Sequence, residues 1–302
     1  MEESRPVIAH VLAEQQQHHE TRKKLFHDLE SELGRSVVTL FTSFKLPVML
    51  DDGDADILEG ILQKTDLSRG LALIISSPGG DGLAAERIIN ICRHYSKTNE
   101  YWAIVPSKAK SAATIICFGA SKIIMGGTSE LGPIDPQILI PQTGLQRFSV
   151  YNIVKSYENL FAKAVSETSG KLEPYLQQLD RYDEREIEEF RAALELSEDI
   201  AVRSIRSGML PKRAISRIKK DLNVFLTPEQ TKTHGRPIYR DEAKKAGLNI
   251  EAVDVRSSKW SLIYELYIRT DNLVSARVLK CIETKDHSFY VPNPEILRVG
   301  VR

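Results

Sequence analysis

Two short segments of this chain carry residue types able to do covalent chemistry. The first is Ser76-Ser77-Pro78-Gly79-Gly80-Asp81-Gly82, where a continuous apolar run meets a helical pattern. Paired glycines there remove side chains, so that backbone N–H groups can turn outward, and such a nest stabilises either a phosphate or a developing oxyanion. No Lys-Ser/Thr follows them and no Gly-x-Gly-x-x-Gly is present, so neither phosphate-loop nor dinucleotide pattern is met. A plain tight turn would use the same residues. The second segment is Val105-Pro106-Ser107-Lys108-Ala109-Lys110-Ser111-Ala112-Ala113-Thr114, in which a serine opens a helix of small residues just after a strand. Small neighbours leave room for a substrate, and a helix N-terminus favours an alkoxide. Ser111 is therefore either a nucleophile or the N-cap of its helix.

The elements needed to position these segments are legible in the pattern. Residues 36–44 are β-branched and aromatic and predict a strand; 51–64 place Ile57, Leu58, Ile61 and Leu62 on one helix face. The apolar run 71–75 predicts a strand buried on both faces, followed by a helix over 83–95. A strand over 102–105, a helix over 112–120 and a strand over 122–125 complete the series. Alternating strand and helix predicts βαβ units and a mostly parallel sheet, an α/β fold. Residues 149–208 are helical with a charge-dense centre at 180–191, and 209–220 form a short basic helix. A helix near 242–245 is closed by Gly247, and a helix over 260–269 precedes a strand-like tail at 278–291. The expected organisation is an N-terminal helical extension (1–28), a core domain (29–254) with its helical segment, and a small C-terminal appendage (255–302).

Composition excludes several classes. The chain has 302 residues, and 41 Lys plus Arg balance 41 Asp plus Glu, so no global field draws in nucleic acid or an anionic membrane. A basic cluster at Lys212, Arg213, Arg217, Lys219 and Lys220 reads as a solvated helix face. Cys92, Cys117 and Cys281 lie far apart, without a Cys-x-x-Cys pair, which argues against a disulfide framework or a cysteine zinc site. His18, His19 and His27 have no partnering ligand pattern, and no metal is expected. No run reaches the roughly 18 apolar residues of a membrane span. Residues 1–6 are acidic with no apolar region after them, so a cytoplasmic chain is expected.

A third segment, Lys122-Ile-Ile-Met-Gly-Gly-Thr-Ser-Glu-Leu-Gly-Pro-Ile-Asp-Pro-Gln137, completes a resemblance. With Pro78-Gly79-Gly80 and Lys110-Ser111-Ala112-Ala113-Thr114 it resembles the serine dehydrogenase proteinase family, in the signal peptide peptidase A group of the Clp protease and crotonase fold. The likeness runs from about Leu29 to Val253 and takes in His234-Gly-Arg-Pro-Ile-x-x-x-Glu-Ala-x-x-x-Gly-Leu248. It implies a serine peptidase working through an acyl-enzyme, with no cofactor, on peptide or protein substrates, in a homo-oligomer. Ser111 stands at the nucleophile, and Gly79 and Gly80 at the oxyanion loop, with the Ala112 N–H as a second donor.

The base is open at this stage. Clp-type proteases carry a histidine roughly 25 residues after the serine, where this chain has Asp135-Pro136-Gln137. Relatives of the signal peptide peptidase type use a lysine. Lys163, in the apolar context Leu160-Phe161-Ala162-Lys163-Ala164-Val165, is the first candidate and Lys155 the second, because burial is what turns a lysine into a base. His234 is a third, and Asp135 either orients the base or holds a turn. The alternative function is a catalytically inactive member acting as a peptide-binding or oligomeric scaffold. Acyl-CoA chemistry of the crotonase type is disfavoured by the serine that opens the second helix.

Overall fold

The structure is a computed structural model that describes residues 7–8, 18–139, 147–276 and 278–293. Most of the expected N-terminal extension before residue 18 and the end of the expected C-terminal appendage after residue 293 lie outside them. In chain order the elements up to the second segment are α1 (Glu20–Leu33), β1 (Ser36–Thr42), α2 (Asp52–Leu62), β2 (Leu71–Ser76), α3 (Gly82–Tyr95), β3 (Tyr101–Val105), β4 (Lys108–Ala109) and α4 (Ala112–Phe118). Then come β5 (Lys122–Met125), β6 (Glu130–Leu131), a hairpin of β7 (Gln137–Leu139) and β8 (Arg147–Ser149), and helices α5 (Val150–Ser166), α6 (Glu173–Leu179) and α7 (Glu184–Ser207). Short helices α8 (Ile215–Asp221), α9 (Asn223–Leu226) and α10 (Pro228–Thr231) lead to β9 (Ile238–Tyr239), α11 (Arg240–Lys245), β10 (Ile250–Ala252), α12 (Ser258–Ala276), β11 (Val278–Glu283) and β12 (Ser288–Pro292).

Seven strands form one sheet in the order β10-β5-β3-β2-β1-β11-β12, and the first five run parallel. Alternation along each strand sorts side chains to two covered faces. Val38, Leu40, Leu71, Leu73 and Ile75 point to a core closed by α2, α3 and α4. Val37, Phe41, Ala72 and Ile74 point to a second core closed by α1 and α12. Each fully buried Leu, Ile or Val side chain contributes roughly 1.5–3 kcal/mol relative to exposure. Helix α2 starts where predicted because Asp51 and Asp54 form a capping box: Asp51 Oδ1 accepts from the Gly53 N–H at 2.9 Å and Asp54 Oδ2 from the Asp51 N–H at 2.9 Å.

The tail joins the sheet. β11 pairs antiparallel with β1 in the register Thr39↔Glu283 to Thr42↔Lys280, and α12 packs on α1. Two sets of ionic contacts fasten this seam. Arg22 grips Glu283 with two parallel bonds of 2.7 and 2.6 Å, both side chains being inaccessible to water. Lys280 reaches both Asp51 and Asp54 at 2.7 Å, and so ties β11 to the start of α2. Among the described residues no helix is long and apolar enough to cross a membrane.

Removing one partner of a buried pair strands the other charge. Arg22→Met is therefore expected to cost about 3–5 kcal/mol of folding stability. Arg22→Met with Glu283→Gln should recover much of that, and urea unfolding of the three proteins checks it.

Candidate active site

A second, three-stranded sheet in the order β4-β6-β9 gathers the candidate residues. β4 runs parallel to β6 (Lys108↔Glu130, Ala109↔Leu131), and β9 runs antiparallel to it (Glu130↔Tyr239, Leu131↔Ile238). Ser111 follows β4 by two residues, Asp135 follows Leu131 by four, and His234 precedes Ile238 by four. Because β9 runs the opposite way, all three emerge at the same end of the sheet. His234 Nδ1 lies 2.7 Å from Asp135 Oδ1, with the carboxylate wholly buried and the imidazole one-quarter exposed. The other oxygen, Asp135 Oδ2, accepts from Gln137 Nε2 at 2.9 Å.

The serine loop is strained and braced. Ser111 has φ 51° and ψ −122°, a conformation that side chains other than glycine seldom adopt and that costs about 1–3 kcal/mol. It makes no N-capping hydrogen bond, so capping is not what the residue does. Thr114 Oγ1 donates to the Ala109 carbonyl at 2.8 Å and accepts from the Gly132 N–H at 3.1 Å, locking α4 to β4 and to the end of β6. Lys110, just before the serine, pairs with Glu130 at 2.9 Å and donates to the Leu131 carbonyl at 3.2 Å. Burial pushes its ammonium below the usual lysine range, and Glu130 opposes that shift.

The glycine turn is pressed against this loop. The Ser77 N–H donates to the Lys108 carbonyl at 3.3 Å, and the Lys110 N–H to the Ser77 carbonyl at 3.0 Å. That bridge draws Gly79 so close that a Cβ there, at φ +95°, would sit 2.4 Å from the Lys110 carbonyl oxygen and 2.7 Å from Ser111 Cβ. A Cβ on Gly80 would overlap the Leu50 backbone at 2.1 Å. The two glycines differ in what they offer. The Gly79 N–H donates to Ser77 Oγ at 3.1 Å, whereas neither Gly80 nor Ala112 donates its N–H to any described acceptor.

Ser111, Gly80 and His234 line one cavity of about 430 Å³. Phe44, Leu46, Pro47, Val48 and Met49, between β1 and α2, form an apolar wall, and Leu139 and Arg147 of the hairpin face it. A larger cavity of about 990 Å³ between the hairpin, α5 and α7 shares Leu139 but contains neither Ser111 nor His234. The lysines fall elsewhere. Lys163 is exposed, as are Phe161 (51%) and Val165 (71%), so its apolar context is a surface and not a burial site. Lys155 is half-exposed and ion-paired with Glu229. Neither lysine lines the serine cavity. Residues 45–50 and Arg147 were not singled out by sequence; the apolar, proline-bearing Leu46-Pro47-Val48-Met49 between a strand and a helix was the one available signal. Among the described residues no three His, Cys, Asp or Glu side chains group closely enough to hold a metal ion.

The chain is 27% identical over 261 residues, 82% of its length and 78% of the other's, to uncharacterized protein MJ0137 of Methanocaldococcus jannaschii. It is 29% identical over 126 residues to uncharacterized protein MJ1495 of the same organism, covering 39% of this chain and 42% of that one. Among solved structures it is similar to a mutant of the 1510-N membrane-bound stomatin-specific protease in complex with a substrate peptide. That match has a TM-score of 0.33 and 14% identity, covering 78% of this chain and 96% of the other. The ClpP-like SDH-type serine proteinase family matches residues 7–169, more than half of the sequence, and the chain belongs to that family.

Proposed function

We propose that this chain is a serine peptidase in which Ser111, His234 and Asp135 act as one unit. The observation that carries the reading is the shared cavity of Ser111 and His234, with the far nitrogen of the imidazole 2.7 Å from a buried carboxylate. With Nδ1 donating its proton to Asp135, Nε2 is the basic nitrogen. Nε2 takes the Ser111 hydroxyl proton as Oγ attacks the carbonyl carbon of the scissile peptide. The displaced electron pair moves onto the carbonyl oxygen, towards the Gly80 and Ala112 N–H groups. A donor in that role is worth about 10²–10³ in rate. Nε2 then passes the proton to the leaving amine, the C–N bond breaks, and water reverses the sequence to release the acyl group. Gly79 serves differently from Gly80: its N–H is committed to Ser77, and its lack of a side chain is what admits the serine loop.

Lysine bases have less support. Lys163 sits exposed on its helix, Lys155 is engaged with Glu229, and neither lines the cavity that holds Ser111.

Labelling with a fluorophosphonate probe, followed by intact mass, tests the assignment. Wild type is expected to gain one adduct and Ser111→Ala none. His234→Ala and Asp135→Asn should slow labelling by about 10²–10⁴-fold, and Lys163→Ala should label at the wild-type rate. Undiminished labelling of His234→Ala, with loss in a lysine variant, would sink the triad. Gly79→Ala should lose labelling too, with a lower unfolding midpoint equivalent to about 1–3 kcal/mol, because its Cβ would displace the backbone before Ser111.

A further inference from the structure

We infer that Arg147 is a specificity residue of the Ser111 cavity, there to receive a carboxylate of the peptide substrate. The inference rests on the peptidase reading above and goes beyond it. Arg147 opens β8 directly across the hairpin from Leu139 on β7, and both side chains line the cavity that contains Ser111 and His234. Every other described residue on that wall is uncharged or, for His234, only conditionally charged. Asp135 is spoken for by His234 and Gln137. Arg147 is thus the one permanent charge facing the cavity among the described residues.

Its guanidinium has no carboxylate partner among those residues. Arg22, Arg87, Arg185 and Arg191 each hold at least one, and of the described arginines without such an ion pair Arg147 is the one that lines this cavity. The chain joining the two strands, Ile140-Pro-Gln-Thr-Gly-Leu-Gln146, contains no Asp or Glu to supply one. A guanidinium is charged at every working pH and presents a planar fork that matches a carboxylate in two parallel bonds. Beside an apolar wall of low polarisability, such a charge enriches anions and strengthens their hydrogen bonds. A peptide offers a carboxylate in two ways: as an Asp or Glu side chain a few residues from the cut, or as its own C-terminus when the cut lies near the end.

Two series of fluorogenic peptides on one core sequence separate these sources. The first changes Gln to Glu one position at a time; the second compares free with amidated C-termini at increasing distance from the cut. In wild type the carboxylate is expected to raise kcat/KM about fivefold or more at one register, with the advantage shrinking as salt rises. Arg147→Gln should bring the ratio to about one, Arg147→Lys should restore part of it, and Arg147→Glu should favour Lys peptides instead. An effect confined to the first series assigns an acidic side chain, and one confined to the second assigns the terminus. A ratio near one at every position in wild type, or a ratio unchanged in Arg147→Gln, overturns the inference. Anisotropy of the same peptides bound to Ser111→Ala, with and without Arg147→Gln, reads the preference without turnover. Binding preference lost with Arg147 but no fluorophosphonate labelling would sink the peptidase reading and keep the carboxylate site. Labelling without any preference would do the reverse.

Discussion

The pairing of β6 with β9, two residues each, is the constraint on which the candidate site depends. Leu131 opposite Ile238 fixes where the chain after 131 and the chain before 238 run beside each other, and Asp135 then lies against His234 from the far side of about a hundred residues. A slip of one residue would turn every side chain of the pair to the other face. Several contacts guard this short register. Leu131 and Ile238 are both fully buried, Lys110 pins β6 through Glu130, and Thr114 ties Gly132 to the serine helix. Farther along, the Ile134 N–H donates to the Phe225 carbonyl and Ser197 Oγ to the Ile134 carbonyl, each at 2.8 Å, so the residue before Asp135 is held on both sides.

Strain in the serine loop is offset by the same neighbourhood. A non-glycine residue at φ 51° persists only where its surroundings over-determine it. Here the flanking residues are committed: Lys108 and Lys110 to Ser77, Thr114 to Ala109 and Gly132, and the following helix to the core. Among the described residues the serine hydroxyl and the N–H groups of Gly80 and Ala112 are left without a hydrogen-bond partner. Rigid backbone around free polar groups is the condition for electrostatic preorganisation, since such groups need no rearrangement when charge develops.

The sheet itself is stabilised from both ends of the chain. Five parallel strands need cover on both faces, and α2, α3 and α4 supply one. The second face is closed by α1 and α12, which come from before β1 and after β10, and the β11 strand extends the sheet beside β1. The Arg22–Glu283 and Lys280–Asp51–Asp54 contacts lie along this seam. A buried ion pair adds little net stability compared with apolar packing, but it penalises any arrangement that leaves one charge alone. Its effect here is to specify which segments meet.

Local pattern was enough for the alternating strands and helices through Met125, for the covered parallel sheet, and for Ser111 with its glycine turn, because each rests on neighbours a few residues apart. The family likeness rested on the same short motifs. Which titratable side chain shares a cavity with the serine was not legible. Apolar neighbours around Lys163 look the same in sequence whether that helix face is buried or, as here, exposed, since burial depends on what the rest of the chain lays over it. The distinction between Gly79 and Gly80 likewise hangs on one side chain, Ser77 Oγ, and on the approach of Leu50. Residue types and short spacings determined the fold class of this protein and the placing of Ser111 between a strand and a helix. Tertiary structure alone decided the partner of His234, the apolar wall at residues 44–49 and the open charge of Arg147, because each arises from segments brought together by strand register and not by proximity along the chain.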